Sequence, residues 1–165
     1  MAITLTSNYK EVLDPQTVAF IEERIEDNYA LDDMLEFIDA HNEDDFCNYY
    51  EEYVRCGEAI GYCAVDALIE EMGDVSYIDS CDDRYRGSYQ SEKDFAEEYY
   101  TDLYDIPSDL VVDWESTWDC NLRYDFTYCD GHIFQDWSSL NPHQTLLESP
   151  LAGFFSVLGV IVLDH

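Results

Sequence analysis

Apolar residues recur every three or four positions through the first part of the chain, which is the spacing of a helix with one buried face. Asp14 followed by Pro15 is a typical helix start, with a capping side chain and a proline at the first helical position. Two stripes follow, with a change of phase near Asn28: Val18, Ile21, Ile25 and Tyr29, and then Leu31, Met34, Leu35 and Ile38. The pattern predicts two helices joined by a kink or tight turn.

Two more helices are expected before residue 74. The third runs over about 44–55, with Phe46 and Tyr50 on its apolar face, and Gly57 is expected to break it. The fourth ends at Gly73, where a glycine can adopt the left-handed conformation of a helix C-terminus. We therefore interpret residues 1–73 as a helical region in which 14–73 form a small bundle.

The period changes after Gly73. Val75 and Tyr77 alternate with polar residues as in a short strand, and residues 84–90 are expected to form a glycine-containing loop. Ser91, with Asp94 three residues later, resembles a capping box at the start of another helix. That helix is expected to end at Pro107, and Ser108 to cap a shorter helix through Trp114.

Residues 122–136 carry a hairpin signal. Apolar and aromatic residues alternate from Leu122 to Tyr128, Asp130-Gly131 follows, and residues 132–136 can return as the partner strand. A two-residue Asp-Gly connection between such runs is strongly associated with β-hairpins. The sequence predicts an α+β fold: a mainly helical N-terminal bundle, then a small α+β unit with an antiparallel hairpin over 74–137.

The last segment, residues 138–165, differs in composition. Its apolar run over 151–163 would span about 20 Å as a helix, less than the roughly 30 Å of a bilayer core. Its glycines and β-branched residues leave helix and strand both open. We expect it to pack on the core or at a dimer interface, and a membrane-surface anchor is disfavoured because basic flanks are missing.

The charge of the chain is extreme for a sequence that looks folded. It has 38 Asp and Glu against 7 Lys and Arg, a formal charge of −31, with 47% hydrophobic and 15% aromatic residues. Disordered acidic tails lack such apolar content. Charge of this size matches that of roughly 50 Å of DNA duplex, or about fifteen base pairs. It excludes DNA and acidic membranes as direct partners and favours a protein that imitates nucleic acid.

Spacing supports the same hypothesis. Acids four residues apart form like-charged rows on helix faces, which destabilise a helix and would be replaced by Glu-Lys pairs if stability alone mattered. Screening by salt makes such rows tolerable, and adaptation to high salt is an alternative origin of the charge. Adaptation does not account for 14 Tyr, nor for a tail that holds two acids. The candidate mimic surface consists of Glu22, Glu23, Glu26, Asp27, Asp32, Asp33, Glu36, Asp79, Asp82, Asp83, Glu97, Glu98 and Asp102.

No pattern indicates an enzyme. The four histidines are scattered, a Cys129–His132 dyad is of the kind that chance supplies, and paired carboxylates are too common here to be informative. The six cysteines lack any CxxC pair, so zinc ribbons and iron–sulfur clusters are not expected. Asp79, Asp82 and Asp83 could hold an ion only loosely. We therefore predict no catalytic residues, metal or cofactor, and, since the N-terminus lacks the features of an export signal, reduced and mostly buried thiols in a cytoplasmic protein.

Several segments in family-like order resemble the antirestriction protein ArdA family, mainly over residues 60–137. They are Tyr85-Arg-Gly-Ser-Tyr, Ser91-Glu-Lys-Asp-Phe-Ala-Glu-Glu, Asp105-Ile-Pro, Val112-Asp and Gly131-His-Ile-Phe. The helical pattern over 14–73 departs from the small β-containing domain with which the family usually begins, and the apolar tail is a second departure.

The resemblance implies a dimeric, elongated DNA mimic without catalytic residues. Such a protein occupies the DNA-binding groove of a type I restriction-modification enzyme and protects invading phage or plasmid DNA. An acidic adaptor or inhibitor of another basic, nucleic-acid-binding protein is the alternative, and an enzyme of unknown type is a second rival. The expected partner is thus a restriction-modification enzyme or another DNA-binding defence protein.

Overall fold

The computed structural model describes residues 3–136 and 160–161, with side chains described from residue 8 to residue 136. The fold is a mainly helical α+β fold, as predicted. The chain divides into two compact units, Met1–Asp82 and Asp83–His165, which we call unit 1 and unit 2. The division falls nine residues after the boundary that the change of period at Gly73 suggested.

Unit 1 is built from helices. In chain order they are α1 (Ile3–Val12), α2 (Pro15–Glu26), α3 (Leu31–Ala40), α4 (Glu43–Ile60), α5 (Tyr62–Met72), a 3₁₀ turn (Val75–Ile78) and the start of α6 (Cys81–Arg84). The four predicted helices are present as α2 to α5. Helix α1 was not predicted because its first residues, Ile-Thr-Leu-Thr-Ser, combine weak helix formers with no helical apolar period.

Local signals fix several helix ends. Helix α2 begins at Pro15 as predicted, but the Asp14 side chain makes no capping bond. Instead, the Asp14 backbone N–H donates to Oε2 of Glu43 at 2.9 Å, which ties the start of α2 to the start of α4. Asn42 caps α4 by accepting from the N–H of Asp45 at 2.7 Å. Gly73 has φ of +71° and ends α5 in the left-handed conformation, as predicted.

The expectation that Gly57 ends the third helix is wrong, because α4 continues to Ile60 and the chain turns at Gly61, where φ is +95°. Gly57 is buried inside the helix and faces the ring of Tyr62. A Cβ at this position would lie 2.3 Å from Cε1 of that ring. The glycine therefore permits close packing of the α5 start on α4.

The core of unit 1 is rich in aromatic rings. Phe46 is fully buried, and its ring centroid lies 4.9 Å from that of Tyr50 and 5.3 Å from that of Phe20. Aliphatic side chains that are likewise buried fill the space between the helices: Ile21, Met34, Leu35, Val65 and Leu68. Aromatic and aliphatic burial of this kind is the main force that holds such a bundle together.

The strand expected around Val75 and Tyr77 is instead a 3₁₀ turn. Asp74 caps it by accepting from the N–H of Ser76 at 2.8 Å. The buried residues are Val75 and Ile78, three apart, which is the repeat of a 3₁₀ helix. Two alternating positions were too few to distinguish this spacing from that of a strand.

Unit 2 combines a small sheet with two helices. In chain order its elements are the end of α6, β1 (Tyr85–Ser88), α7 (Glu92–Leu103), β2 (Val111–Val112), α8 (Trp114–Cys120), a 3₁₀ turn (Leu122–Tyr124), β3 (Phe126–Cys129), β4 (His132–Gln135) and β5 (Val160–Ile161). The main sheet has the order β1-β4-β3, and both pairings are antiparallel.

The predicted hairpin is confirmed. Cys129 pairs with His132 across the Asp130-Gly131 connection, and both connecting residues have positive φ, +42° and +89°. This is the geometry that a two-residue hairpin loop requires. The hairpin begins at Phe126, not at Leu122, because Leu122 is buried in a 3₁₀ turn whose end, Tyr124, is 63% exposed.

Two further expectations for unit 2 are wrong. The segment 84–90, expected to be a loop, contains strand β1, which pairs with β4 through a bulge between Tyr85 and Gly87. The short helix expected from Ser108 is displaced: α8 begins at Trp114 and is capped by Asp113, which accepts from the N–H of Ser116 at 3.0 Å. Helix α7 ends at Leu103, before Pro107.

Phe95 of α7 lies at the centre of the unit 2 core. Its ring contacts Phe126 of β3 at 5.0 Å, Tyr89 at 5.1 Å and Trp118 of α8 at 6.2 Å between centroids. The helices therefore pack on the sheet through aromatic rings.

Of the apolar segment 138–165, only Val160–Ile161 belongs to the described residues. These two residues form an antiparallel strand pair with β2, with Val111 opposite Ile161. The predicted packing of the rest of the segment, on the core or at a dimer interface, lies outside the described residues.

Ser91 is the predicted N-cap of α7, and its contribution to stability can be measured. It accepts from the N–H of Asp94 and donates its hydroxyl to that residue's carboxylate at 2.7 Å, so it caps α7 as predicted. We expect Ser91→Ala to lower the free energy of unfolding by about 1 kcal/mol. Urea denaturation can measure this loss. Ser88→Ala, an exposed change at the end of β1, is the control and should change stability by less than about 0.5 kcal/mol.

Candidate functional site

Acidic side chains dominate the surface of both units. Residues 3–136 hold 36 of the acids, of which thirty are exposed, six are partly buried and none is buried. The seven cations of the chain can neutralise only a minority of them. Ion pairs among the described residues include Lys10 with Glu22, Arg24 with Glu23 and Glu51, and Arg55 with Glu52 and Asp82.

The predicted mimic residues on α2, at its C-cap and on α3 fall into three groups. Glu22 and Glu23 belong to the ion pairs just described, so part of their charge is compensated within the chain. Glu26 and Asp32 are exposed and do not line the groove described below, whereas three others line it: Asp27, Asp33 and Glu36.

The remaining predicted residues lie elsewhere. Asp79 is exposed at the end of the 3₁₀ turn of unit 1, and Asp82 is held by Arg55. Asp83 begins unit 2, where the other three lie on α7: Glu97, Glu98 and Asp102. Glu98 accepts a hydrogen bond from the Tyr89 hydroxyl at 3.0 Å. The thirteen residues are therefore divided between the two units.

Unit 1 contains an open groove of about 1330 Å³, formed by the end of α2, by α3, by α4 and by α5. We call it the acidic groove. Its carboxylates are Asp27, Asp33, Glu36, Glu51, Glu58, Asp66 and Glu70, and its aromatic rings are those of Tyr29, Phe37, Tyr50, Tyr53 and Tyr62. Arg55 and His41 are its basic residues.

The aromatic residues of the groove pack on one another. The ring centroid of Phe37 lies 5.0 Å from that of Tyr53 and 5.3 Å from that of Tyr50, and Tyr53 lies 5.4 Å from Tyr62. Tyr50 is buried, Tyr53 is half-buried and Tyr62 is 42% exposed, so the rings rise from the core towards solvent. A ligand in the groove would meet ring faces at its floor and carboxylates at its rim.

Burial and nearby negative charge raise the pKa values of two groove tyrosines. Burial, followed by the negative charge of Asp33, raises the pKa of Tyr50 to about 12. Burial and a hydrogen bond of 2.8 Å to the Asp66 carboxylate raise the pKa of Tyr53 well above its ordinary value. Both phenols therefore stay neutral at physiological pH, and the groove presents neutral rings in a negative field.

Sequence reasoning missed most of this groove. The four helices bring together acids that were not singled out, such as Glu58, Asp66 and Glu70, and tyrosines that were assigned to apolar faces. The available signal was the presence of Tyr50 and Tyr53 on a helix in which seven of the 18 residues are charged. Phenols on such a helix are suited to the boundary between core and solvent.

One group among the described residues has donor atoms close enough to hold a metal ion. Oxygens of Glu52 and Asp82 and the sulfur of Cys56 lie within 4.8 Å of one another. Arg55 already binds both carboxylates, donating to Glu52 at 3.0 Å and to the two Asp82 oxygens at 2.7 and 2.9 Å. A metal would have to displace this guanidinium, so the group is better suited to a structural role.

We expect Arg55→Met to destabilise the protein by about 1–3 kcal/mol at pH 7, because two carboxylates would then face each other without a cation. The Arg55 hydrogen bonds lower the pKa of Glu52 in the folded state. Their contribution is therefore present above the unfolded pKa and is lost as the pH falls through the lower folded value.

The difference in melting temperature between Arg55→Met and wild type should consequently begin to shrink as the pH falls below about 4, and it should vanish below the lowered folded pKa of Glu52. Arg123→Met is the control: Arg123 is exposed and lies over the ring of Tyr124. It should change stability by less than about 0.5 kcal/mol at every pH. A pH-independent loss in Arg55→Met would show that lost packing, not charge, is responsible.

The cysteines of the described residues differ in their exposure. Cys56, Cys81 and Cys129 are buried, whereas Cys63 and Cys120 are exposed and Cys47 is partly buried, so the thiols are less uniformly buried than predicted. The Nδ1 atom of His132 lies 3.0 Å from the Tyr85 hydroxyl, which gives this ring a partner on the neighbouring strand.

Two general findings complete the description of the site. No helix among the described residues is both long and apolar enough to cross a membrane. No protein-family model, curated protein or solved structure matches this chain.

Proposed function

We propose that this protein is a non-enzymatic inhibitor that occupies the DNA-binding groove of a type I restriction-modification enzyme, or of a related DNA-binding defence protein. It would thereby protect invading phage or plasmid DNA in the cytoplasm of the host cell. The observation that carries the proposal is the exposure of thirty carboxylates over both units, against seven cations in the chain. The resemblance to the ArdA family supports the choice of target and the expectation of a homodimer.

The physical basis is the replacement of phosphates by carboxylates. A protein that binds DNA contacts the phosphates with Lys and Arg side chains and releases counterions when it does so. Carboxylates held on folded helices can accept the same charge-assisted hydrogen bonds. Such an inhibitor needs no catalytic residue, metal or cofactor.

The experiment is a cleavage-protection assay with a purified type I restriction-modification enzyme and a plasmid that carries its target sites. We expect near-stoichiometric amounts of this protein to block cleavage and to lower the DNA-dependent consumption of the enzyme's nucleotide cofactor. Single substitutions such as Glu26→Gln should have little effect, because the charge is spread over many positions. Full cleavage in the presence of excess protein would contradict the proposed target.

A second candidate function is an acidic adaptor or inhibitor that binds another basic, nucleic-acid-binding protein. The acidic groove favours this alternative. A DNA duplex presents a convex surface, whereas a concave surface lined with aromatic rings is suited to binding a protein segment. A pull-down from host lysate separates the two by the identity of the retained partner: restriction or modification subunits support the first proposal.

A further inference from the structure

We propose that the acidic groove of unit 1 binds arginine side chains on an extended segment of the basic partner. This inference rests on the proposed function for its choice of a basic protein as partner. It adds a specific pocket to a mechanism that otherwise depends on charge spread over the whole surface.

The chemistry of the groove matches a guanidinium group. Arginine stacks its planar face on aromatic rings and donates paired hydrogen bonds to carboxylates, whereas lysine offers a compact, strongly hydrated charge. The groove supplies both kinds of contact: the partly exposed rings of Tyr53 and Tyr62, and the exposed carboxylates of Asp33, Glu36, Glu58 and Glu70. None of those four carboxylates belongs to the ion pairs described above.

Beside the groove, the protein contains an arginine that contacts both an aromatic ring and carboxylates. The guanidinium of Arg24 lies 4.1 Å from the ring centroid of Phe20 and forms ion pairs with Glu23 and Glu51. Glu51 is itself a groove residue. An arginine held between a ring face and carboxylates is therefore stable in this local environment.

The field inside the groove favours a cation. The negative charge of Asp33 contributes to the raised pKa of Tyr50, and burial, followed by the charge of Glu58, raises the pKa of Tyr62. The negative charges of Asp33 and Glu58 therefore reach the tyrosine rings of the groove. The one arginine in the groove, Arg55, is bound to Glu52 and Asp82, so its charge is largely compensated.

The size of the groove favours a segment of protein over a free small molecule. Its volume of about 1330 Å³ is larger than the roughly 300–1,000 Å³ of ordinary small-molecule pockets. Seven carboxylates line it, which is enough for more than one guanidinium. An extended segment with several arginines would satisfy both features.

The test uses two fluorescent peptides of equal length and charge, one of alternating Arg and Gly and one of alternating Lys and Gly. Binding to the whole protein is followed by fluorescence anisotropy. We expect the arginine peptide to bind about threefold or more tighter, which is the advantage that ring stacking gives at partly exposed sites. Equal affinity for both peptides would overturn the proposal.

Matched variants separate the groove from general charge. The groove variant carries Asp33→Asn, Glu36→Gln, Glu58→Gln and Glu70→Gln, and the control variant carries Glu26→Gln, Asp32→Asn, Asp39→Asn and Glu71→Gln. All eight residues are exposed in unit 1, and the control set lies outside the groove. We expect the groove variant to lose about tenfold or more in affinity for the arginine peptide and the control variant to lose much less. Equal losses would show that binding follows net charge alone.

Tyr62→Leu tests the ring without changing the charge. It should remove most of the preference for arginine over lysine, and because it also removes the packing of the ring on Gly57, circular dichroism is used to verify that the variant is folded. Tyr124→Leu, at an exposed tyrosine of unit 2, should leave the preference intact. A preference that survives in Tyr62→Leu would contradict stacking on this ring.

The peptide-binding tests of the groove can succeed or fail independently of the restriction assay. Wild-type protein that fails to protect DNA but binds the arginine peptide in the groove would remove the restriction-enzyme target and keep the groove inference. Protection of DNA by the groove and control variants to the same extent, together with equal peptide binding, would keep the target and remove the groove inference.

Discussion

Phe46→Ala should lower the free energy of unfolding by about 3–5 kcal/mol, the cost of removing a fully buried aromatic ring from a packed core. Phe46 is 0% exposed and contacts the rings of Phe20, Phe37 and Tyr50. Two of these contacts, to Phe37 and Tyr50, support the floor of the acidic groove. The loss should therefore weaken peptide binding as well as stability.

Urea denaturation followed by circular dichroism and tyrosine fluorescence measures the effect. Tyr124→Ala is the matched control, because it removes an aromatic ring that is 63% exposed in unit 2. We expect that change to cost less than about 0.5 kcal/mol. A similar cost for both variants would contradict the assignment of Phe46 to the core of unit 1.

Salt should act in opposite directions on the free protein and on its complex. In the free protein, the repulsion among 36 acids of the described units is screened as salt rises. We expect the melting temperature to rise by about 5 °C or more between roughly 20 mM and 500 mM sodium chloride. Scanning calorimetry at a series of salt concentrations can measure this.

The complex with a basic partner should weaken over the same range. Affinity for the restriction-modification enzyme should fall roughly tenfold or more between about 50 mM and 200 mM salt, since each carboxylate contact displaces counterions from the partner. The slope should be shallower than for DNA, because a folded protein condenses fewer ions than a duplex. Sodium acetate in place of sodium chloride controls for specific anion effects. An affinity that is insensitive to salt would contradict a charge-based mechanism.

The parts of the fold that were predictable from the sequence are those with a sustained period or a strong local signal. The stripes of α2 and α3 span two or more turns, and Gly73, Ser91 and Asp130-Gly131 each mark a conformation that few other residues favour. In these cases local preference and tertiary packing agree.

The wrong predictions occur where a short sequence pattern is compatible with more than one structure. Gly57 looked like a helix end, but the residue is required because Tyr62 packs against its backbone, a contact that no local pattern reveals. Strand β1 contains a glycine and a bulge, so its sequence resembled a loop, and only its pairing with β4 makes it a strand.

The sequence predicted that the surface is acidic, but it did not predict how the acidic residues are arranged. Composition alone indicated an acidic surface, and the acids of the described units are indeed exposed or partly exposed. The groove depends on how α3, α4 and α5 pack, which brings Asp33, Tyr53 and Asp66 together from three helices. Ion pairs such as Lys10 with Glu22 also depend on packing, since the partners lie on different helices.

We propose that this protein and DNA compete for the same site on a DNA-binding enzyme. The most direct measurement titrates the protein into a complex of a type I restriction-modification enzyme with a fluorescent duplex that carries its recognition sequence, and follows anisotropy and native gel mobility. We expect the duplex to be fully displaced, its apparent Kd to rise in proportion to the concentration of the protein, and no species to contain all three components. A ternary complex, or a duplex that stays bound in saturating protein, would contradict it.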